Sequence, residues 1–108
     1  MKRYACHHLY ATADGCYSRY VVELDELCRV KAYFPLKEEM PATQWIGGVI
    51  VLSPSKRLSL GTDERFTDFL QRAVGEPGLE VPVYAWHIAC FDFQKEDLLP
   101  ESSLICLE

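Results

Sequence analysis

Only one stretch of this chain repeats its apolar residues at helical spacing. Phe66, Phe69, Leu70, Ala73 and Val74 fall at i, i+3, i+4, i+7 and i+8, which is one face of a helix. The spacing predicts a helix over residues 62–74. Thr62 suits its N-cap, and Asp63 and Glu64 lie in a first turn where the helix dipole favours acid. Gly75 is a natural stop, and Pro77-Gly78 prevents continuation. A helix of that size spans about 20 Å, enough for part of one sheet face. Everything else must be buried by β structure.

The remaining segments alternate with a period of two. Residues 3–11 carry Tyr4, Cys6, His8 and Tyr10 on one parity, and Asp14-Gly15 signals a turn. In residues 19–25, Tyr20, Val22 and Leu24 share a face opposite Arg19, Glu23 and Asp25. Residues 29–36 answer with Val30, Ala32, Phe34 and Leu36 inward and Arg29, Lys31 and Tyr33 outward. Glu26-Leu27-Cys28 closes these two into a hairpin. Residues 37–47 form a connection with Pro41, Trp45 and the start of Gly47-Gly48. Val49-Ile50-Val51-Leu52 is apolar on both parities, as a strand covered on both faces requires. Residues 81–93 are rich in β-formers, with Pro82 near the start or on an exposed edge, and 103–107 make a last short strand. The order is four strands, one helix and two strands. The expected fold is α+β, mostly β: one domain over 1–108, with a small antiparallel or mixed sheet, or a sandwich-like variant, and one amphipathic helix.

Composition narrows the function classes. With 49% hydrophobic and 25% charged residues the chain reads as a globule, and a net charge of −5 argues against a nucleic-acid partner or a membrane surface. The longest apolar run, Val49–Leu52, is too short for a transmembrane helix. The start, Met1 to His8, is basic but lacks the apolar stretch of a signal peptide, so a cytoplasmic location is expected. The five cysteines, Cys6, Cys16, Cys28, Cys90 and Cys106, are odd in number and show no CxxC pair. They are expected to be reduced thiols.

Cys6-His7-His8 is the most suggestive cluster for chemistry. Cysteine and histidine are zinc ligands, and on a regular strand Cys6 and His8 point the same way, so His87 or Cys90 could join them. Cys6, with His87 and Asp92, could also be drawn as an activated thiol. The simpler reading is favoured: strand histidines with ordinary hydrogen bonds and a buried thiol. No nucleophile elbow, phosphate loop or HExxH motif occurs. Glu38-Glu39 and Glu96-Asp97 read as solvated loop acids, and Gly47-Gly48 as a place for close backbone packing. Among the aromatics, Tyr84 and Trp86 suit the core, whereas Tyr33 and Trp45 suit an interface.

The segment RYACHHLYATADGCYSRYVVELDELCRVKAYFPL, followed by WIGGVIVLSP, resembles the small β domain beside the barrel of metal-dependent amidohydrolases. Val21, Val22, Glu23, Leu24, Asp25, Arg29 and Val30 match its hairpin, and the likeness covers residues 3–54. Cys28 stands where that hairpin has glycine, and no histidine-x-histidine pair follows Pro54. The resemblance therefore implies the small domain without the barrel or its metal chemistry. The expected function is a non-catalytic cytoplasmic protein-interaction or self-association module with no cofactor. It would be a homodimer weakened by Tyr33→Glu, with a further protein partner left open. The alternative is a small metal- or thiol-dependent hydrolase using Cys6, His8 and His87.

Overall fold

The computed structural model describes residues 2–12, 15–37, 43–54, 57–61, 64–74, 83–95 and 97–107, without the side chains of 12, 15, 16, 100 and 101. Seven strands and one helix occur among them: β1 (Lys2–Thr12), β2 (Gly15–Leu24), β3 (Val30–Pro35), β4 (Thr43–Trp45), β5 (Val49–Ser53), α1 (Phe66–Val74), β6 (Tyr84–Asp92) and β7 (Asp97–Cys106). The strands make one mixed sheet in the order β3-β2-β1-β5-β6-β7, with β4 also on β1. The α+β, mostly β expectation is met.

β4 and β5 both run parallel to β1. β4 lies along Arg3–Ala5 and β5 along His8–Tyr10. They are two halves of one broken strand, interrupted at Gly47-Gly48. The sequence reading placed 43–45 in a connection. Three residues with a lone tryptophan carry too little alternation to be seen as a strand.

Each face of the sheet has its own core. On one, Phe66, Phe69, Leu70 and Ala73 of α1 pack on Val49 and Val51 of β5 and Ile88 and Phe91 of β6. On the other, Cys6, Leu9, Val22, Leu24, Ile50, Leu52, Ala85 and Leu107 pack together, joined by Val30 and Val83. Among the described residues no helix covers this second core. The sheet curls over it instead, and the Val30 amide at the β3 edge donates to the carbonyl of Val83, just before β6, at 2.6 Å. β5, fully buried along its length, serves both cores.

α1 begins at Phe66, four residues later than predicted. Thr62, Asp63, Gly75 and Pro77-Gly78 lie outside the described residues. The Phe66 amide donates to the Asp97 carboxylate from the start of β7 at 2.8 Å. The cap is therefore tertiary, supplied from 31 positions away. Asp97, read as a solvated loop acid, is held below the usual carboxylate range by the Phe66 amide and then by the Leu98 amide. At the other end, the buried Ser53 hydroxyl donates to the Ala73 carbonyl.

The hairpin after β2 is built on Asp25. Its carboxylate accepts the amides of Leu27 and Arg29 at 2.9 Å and meets the Arg29 guanidinium at 3.0 Å. Cys28 adopts φ 63° there, a left-handed conformation that favours glycine.

Three strands slip their alternation. In β1, Tyr4 and Cys6 pack in one core with Leu9 and Ala11, whereas Tyr10 packs in the other. The alternation thus breaks between Cys6 and Leu9, although the register with β2 holds there. Against β1 the extra residue lies in 46–48, which stand opposite residues 6 and 7, and the single face expected for Tyr4, Cys6, His8 and Tyr10 does not exist. In β3, Leu24 pairs Val30 and Glu23 pairs Ala32, leaving Lys31 extra. Tyr33 therefore stands opposite Val22 rather than on an outer charged face. In β6, the register shifts between Ala89 and Phe91, with Cys90 at φ 58°.

Candidate functional site

Gly47-Gly48 sits where the broken strand leaves β1. Both glycines have positive φ, 65° and 63°. The Gly48 carbonyl accepts two successive amides of β1, from His7 at 3.1 Å and His8 at 3.3 Å. Two amides converging on one oxygen are the signature of a bulge, and this bulge causes the β1 slip. The Gly48 amide in turn donates to His7 Nδ1 at 2.9 Å. From β6, His87 Nε2 donates to the Gly47 carbonyl at 3.2 Å. Two histidines therefore hold the bend from two strands, and burial pushes the His87 imidazole below its usual range.

Rings gather beside this bend. His7 meets Trp45 edge-on with centroids 4.8 Å apart, and Phe93 at 5.1 Å. His8 stacks on Phe93 at 5.2 Å, and Phe93 meets Phe91 of the helix-side core at 5.3 Å. The bulge turns both histidines toward Phe93. Trp45 is 50% exposed.

A second ring group lies near the β3 edge. Tyr17 stacks on Tyr20 at 4.6 Å, and Tyr33 lies 6.0 Å and 6.4 Å from these two. Tyr33 is 42% exposed. Both expected interface residues are thus exposed, but the register separates them. Tyr33 pairs with Val22, which pairs with Tyr4, whereas Trp45 pairs with the next residue, Ala5. Paired residues share a face and neighbours alternate. Tyr33 and Trp45 lie on opposite faces and cannot make one patch. Tyr84 is half-buried and Trp86 buried, close to their expected place in the core.

The structure does not assemble the Cys6, His8 and His87 trio. Among the described residues no three Cys, His, Asp or Glu side chains form a metal-binding group. The physical reason is the slip at His7-His8. It leaves Cys6 in the core without the helix and sends His8 to Phe93. Burial pushes the Cys6 thiol up to about 12, and its sulfur faces the carbonyls of His8 and Tyr20. A thiol so held is protonated at neutral pH and is no nucleophile. Asp92, drawn above as its third partner, accepts the amides of Gln94 and Lys95 in the turn after β6. Cys6, Cys28, Cys90 and Cys106 are unbridged; the Cys16 side chain lies outside the described residues, as do Glu38, Glu39 and Glu96.

On the face of Trp45, Glu23 is buried and accepts the Arg3 guanidinium at 2.8 Å, with the Lys31 ammonium at 3.8 Å. The Arg3 bond holds its carboxyl below the usual range. It is a neutralised structural acid, not a general base.

Sequence reasoning missed His7 and Phe93 as members of the ring group. The available signal was the glycine pair directly before a fully apolar strand, which marks a strand that must break to approach its neighbours. A scan against protein-family models and searches of curated proteins and of solved structures found no match to this chain.

Proposed function

We propose that this chain is a non-catalytic protein-interaction module that associates with itself. One contrast carries the reading. The side chains best suited to chemistry are bound into the fold, while several of the largest apolar side chains, including Tyr17, Tyr33, Trp45, Phe93 and Ile105, are left exposed. His7 and His87 hold a backbone bend, and Cys6 is buried and protonated. Exposed rings with charged neighbours are the usual material of protein interfaces. The likeness to the small amidohydrolase β domain belongs to the same proposal, since that domain stands beside the catalytic barrel. Sedimentation equilibrium tests the reading. A dimer at micromolar concentration is expected, and a monomer at about 100 μM would overturn it. Metal analysis of untagged protein tests the hydrolase alternative: stoichiometric zinc, lost on Cys6→Ser, would replace this reading.

A further inference from the structure

The irregular backbone of the sheet lies along one line. Cys6 pairs with Tyr20 and His8 with Ser18, which sets His7 opposite Arg19, and Arg19 has φ 55°. On the other side of β1, residues 46–48 stand against residues 6 and 7. Val49 pairs with Ile88, so the ladder continued by one step brings Gly48 to Ala89, next to Cys90 at φ 58°. Among the described residues with positive φ, Cys28 alone lies off this line. Left-handed backbone is costly outside glycine, and it marks places where a chain is bent to a purpose. Tyr4, Cys6, Val22 and Leu24 on one side of the line share a core with Leu9, Ile50, Leu52 and Ala85 on the other. The sheet therefore folds over that core along a crease through Arg19, His7, Gly47-Gly48 and Cys90.

Two imidazoles hold the crease, and acid treats them differently. The Gly48 amide donates to His7 Nδ1 at 2.9 Å. An amide can only donate, so Nδ1 carries no proton and the ring proton sits on Nε2. A proton on Nδ1 and this hydrogen bond exclude each other. His87 Nε2 donates to the Gly47 carbonyl, and an imidazolium donates from both nitrogens, so acid does not break that bond. His7 is exposed, and its ring meets Trp45 and Phe93 edge-on. The titratable and charged groups around it are His8 on its own strand, Arg19 on β2, His87 on β6, and Asp92 and Lys95 beside Phe93. Arg3 and Glu23 lie further along the face of Trp45. Both carboxylates are engaged elsewhere, Asp92 by the amides of Gln94 and Lys95 and Glu23 by Arg3.

We propose that the crease is an acid-released hinge: protonation of His7 frees the Gly48 amide, the His7 ring leaves Trp45 and Phe93, and the two parts of the sheet shift about Gly47-Gly48. His87 keeps the glycine pair attached to β6 in both states. The device is built into the fold and does not depend on self-association.

The test is an NMR titration of the full chain between about pH 8 and pH 5. The Gly48 amide resonance should move with the same midpoint as the His7 ring. Its protection from exchange, corrected for the intrinsic effect of pH, should fall at least about fivefold, the worth of one ordinary hydrogen bond. The Trp45 indole and the amides of Arg19 and Cys90 should move with it. His7→Asn places an acceptor near the Nδ1 position that does not titrate in this range, so Gly48 should stay protected throughout. His87→Gln, which keeps a donor for Gly47, should leave the Gly48 transition in place. A Gly48 amide that stays still while the His7 ring titrates overturns the release. A response confined to Gly48 overturns the hinge. A transition that persists in His7→Asn, or disappears in His87→Gln, overturns the assignment to His7.

Discussion

Gly48 has no room for a side chain. A Cβ there would lie 2.6 Å from the Ile88 carbonyl oxygen and 2.8 Å from His87 Nε2, at a φ of +63°. Left-handed backbone alone costs a non-glycine residue about 1–2 kcal/mol, and backbone oxygen cannot step aside as a side chain can. Gly48→Ala should therefore lose at least about 2 kcal/mol in urea unfolding. Gly47→Ala should lose less, because the nearest atoms to its Cβ are side-chain ones, the edge of the His7 ring at 3.2 Å and Trp45 Nε1 at 3.7 Å. Equal losses would mean that the bend does not press on β6 as described. His87 adds a pH dependence with a definite sign. Its folded imidazole titrates below the ordinary 6.5 because burial disfavours the cation. The unfolded chain takes up that proton first, so stability falls as pH drops below about 6.5. His87→Gln, which keeps a donor for Gly47, should flatten the fall of the thermal midpoint between about pH 7 and 5. An unchanged slope would mean that His87 carries its charge in the folded state.

Among the elements, α1 and β2 were the most legible. The helical stripe is buried at Phe66, Phe69, Leu70 and Ala73, the positions its period names. The even residues of β2, Tyr20, Val22 and Leu24, all enter one core as their alternation requires. What the sequence concealed lies at the slips in β1, β3 and β6. A bulge depends on which backbone lies alongside, and for His7 and His8 that backbone is Gly48, 41 positions from its His7 ring partner. Local alternation cannot register such a partner. The same holds for the helix cap, where Thr62 was the natural local choice and Asp97 binds the first helical amide. Phe69 is fully buried on the stripe, with the Arg72 guanidinium 5.0 Å from its ring. Phe69→Ala should cost about 3–5 kcal/mol, the range for truncating a buried phenylalanine. A thermal midpoint within about 2 °C of wild type would contradict the packing of α1, since even 1 kcal/mol shifts a domain this size by several degrees.

At the scale of the molecule, the shortage of helix has a geometric answer. One helix of nine residues cannot cover both faces of a seven-stranded sheet. The face without it is buried by curvature, with Leu24 and Val30 from one edge meeting Ala85 and Leu107 from the other end. Bulges strengthen twist and bend strands, and β1, β3 and β6 each carry an irregularity that can supply that curvature. The proposed self-association is therefore not needed to hide an open face, and what stays outside for it is the exposed rings. The closure itself rests on the bond between the Val30 amide and the Val83 carbonyl. Residue-resolved hydrogen exchange tests it directly. The curled sheet predicts a Val30 amide protected to a degree approaching that of the β2 amides, although β3 is an edge strand. A Val30 amide that exchanges as fast as the outward-facing Tyr33 amide would contradict the closure.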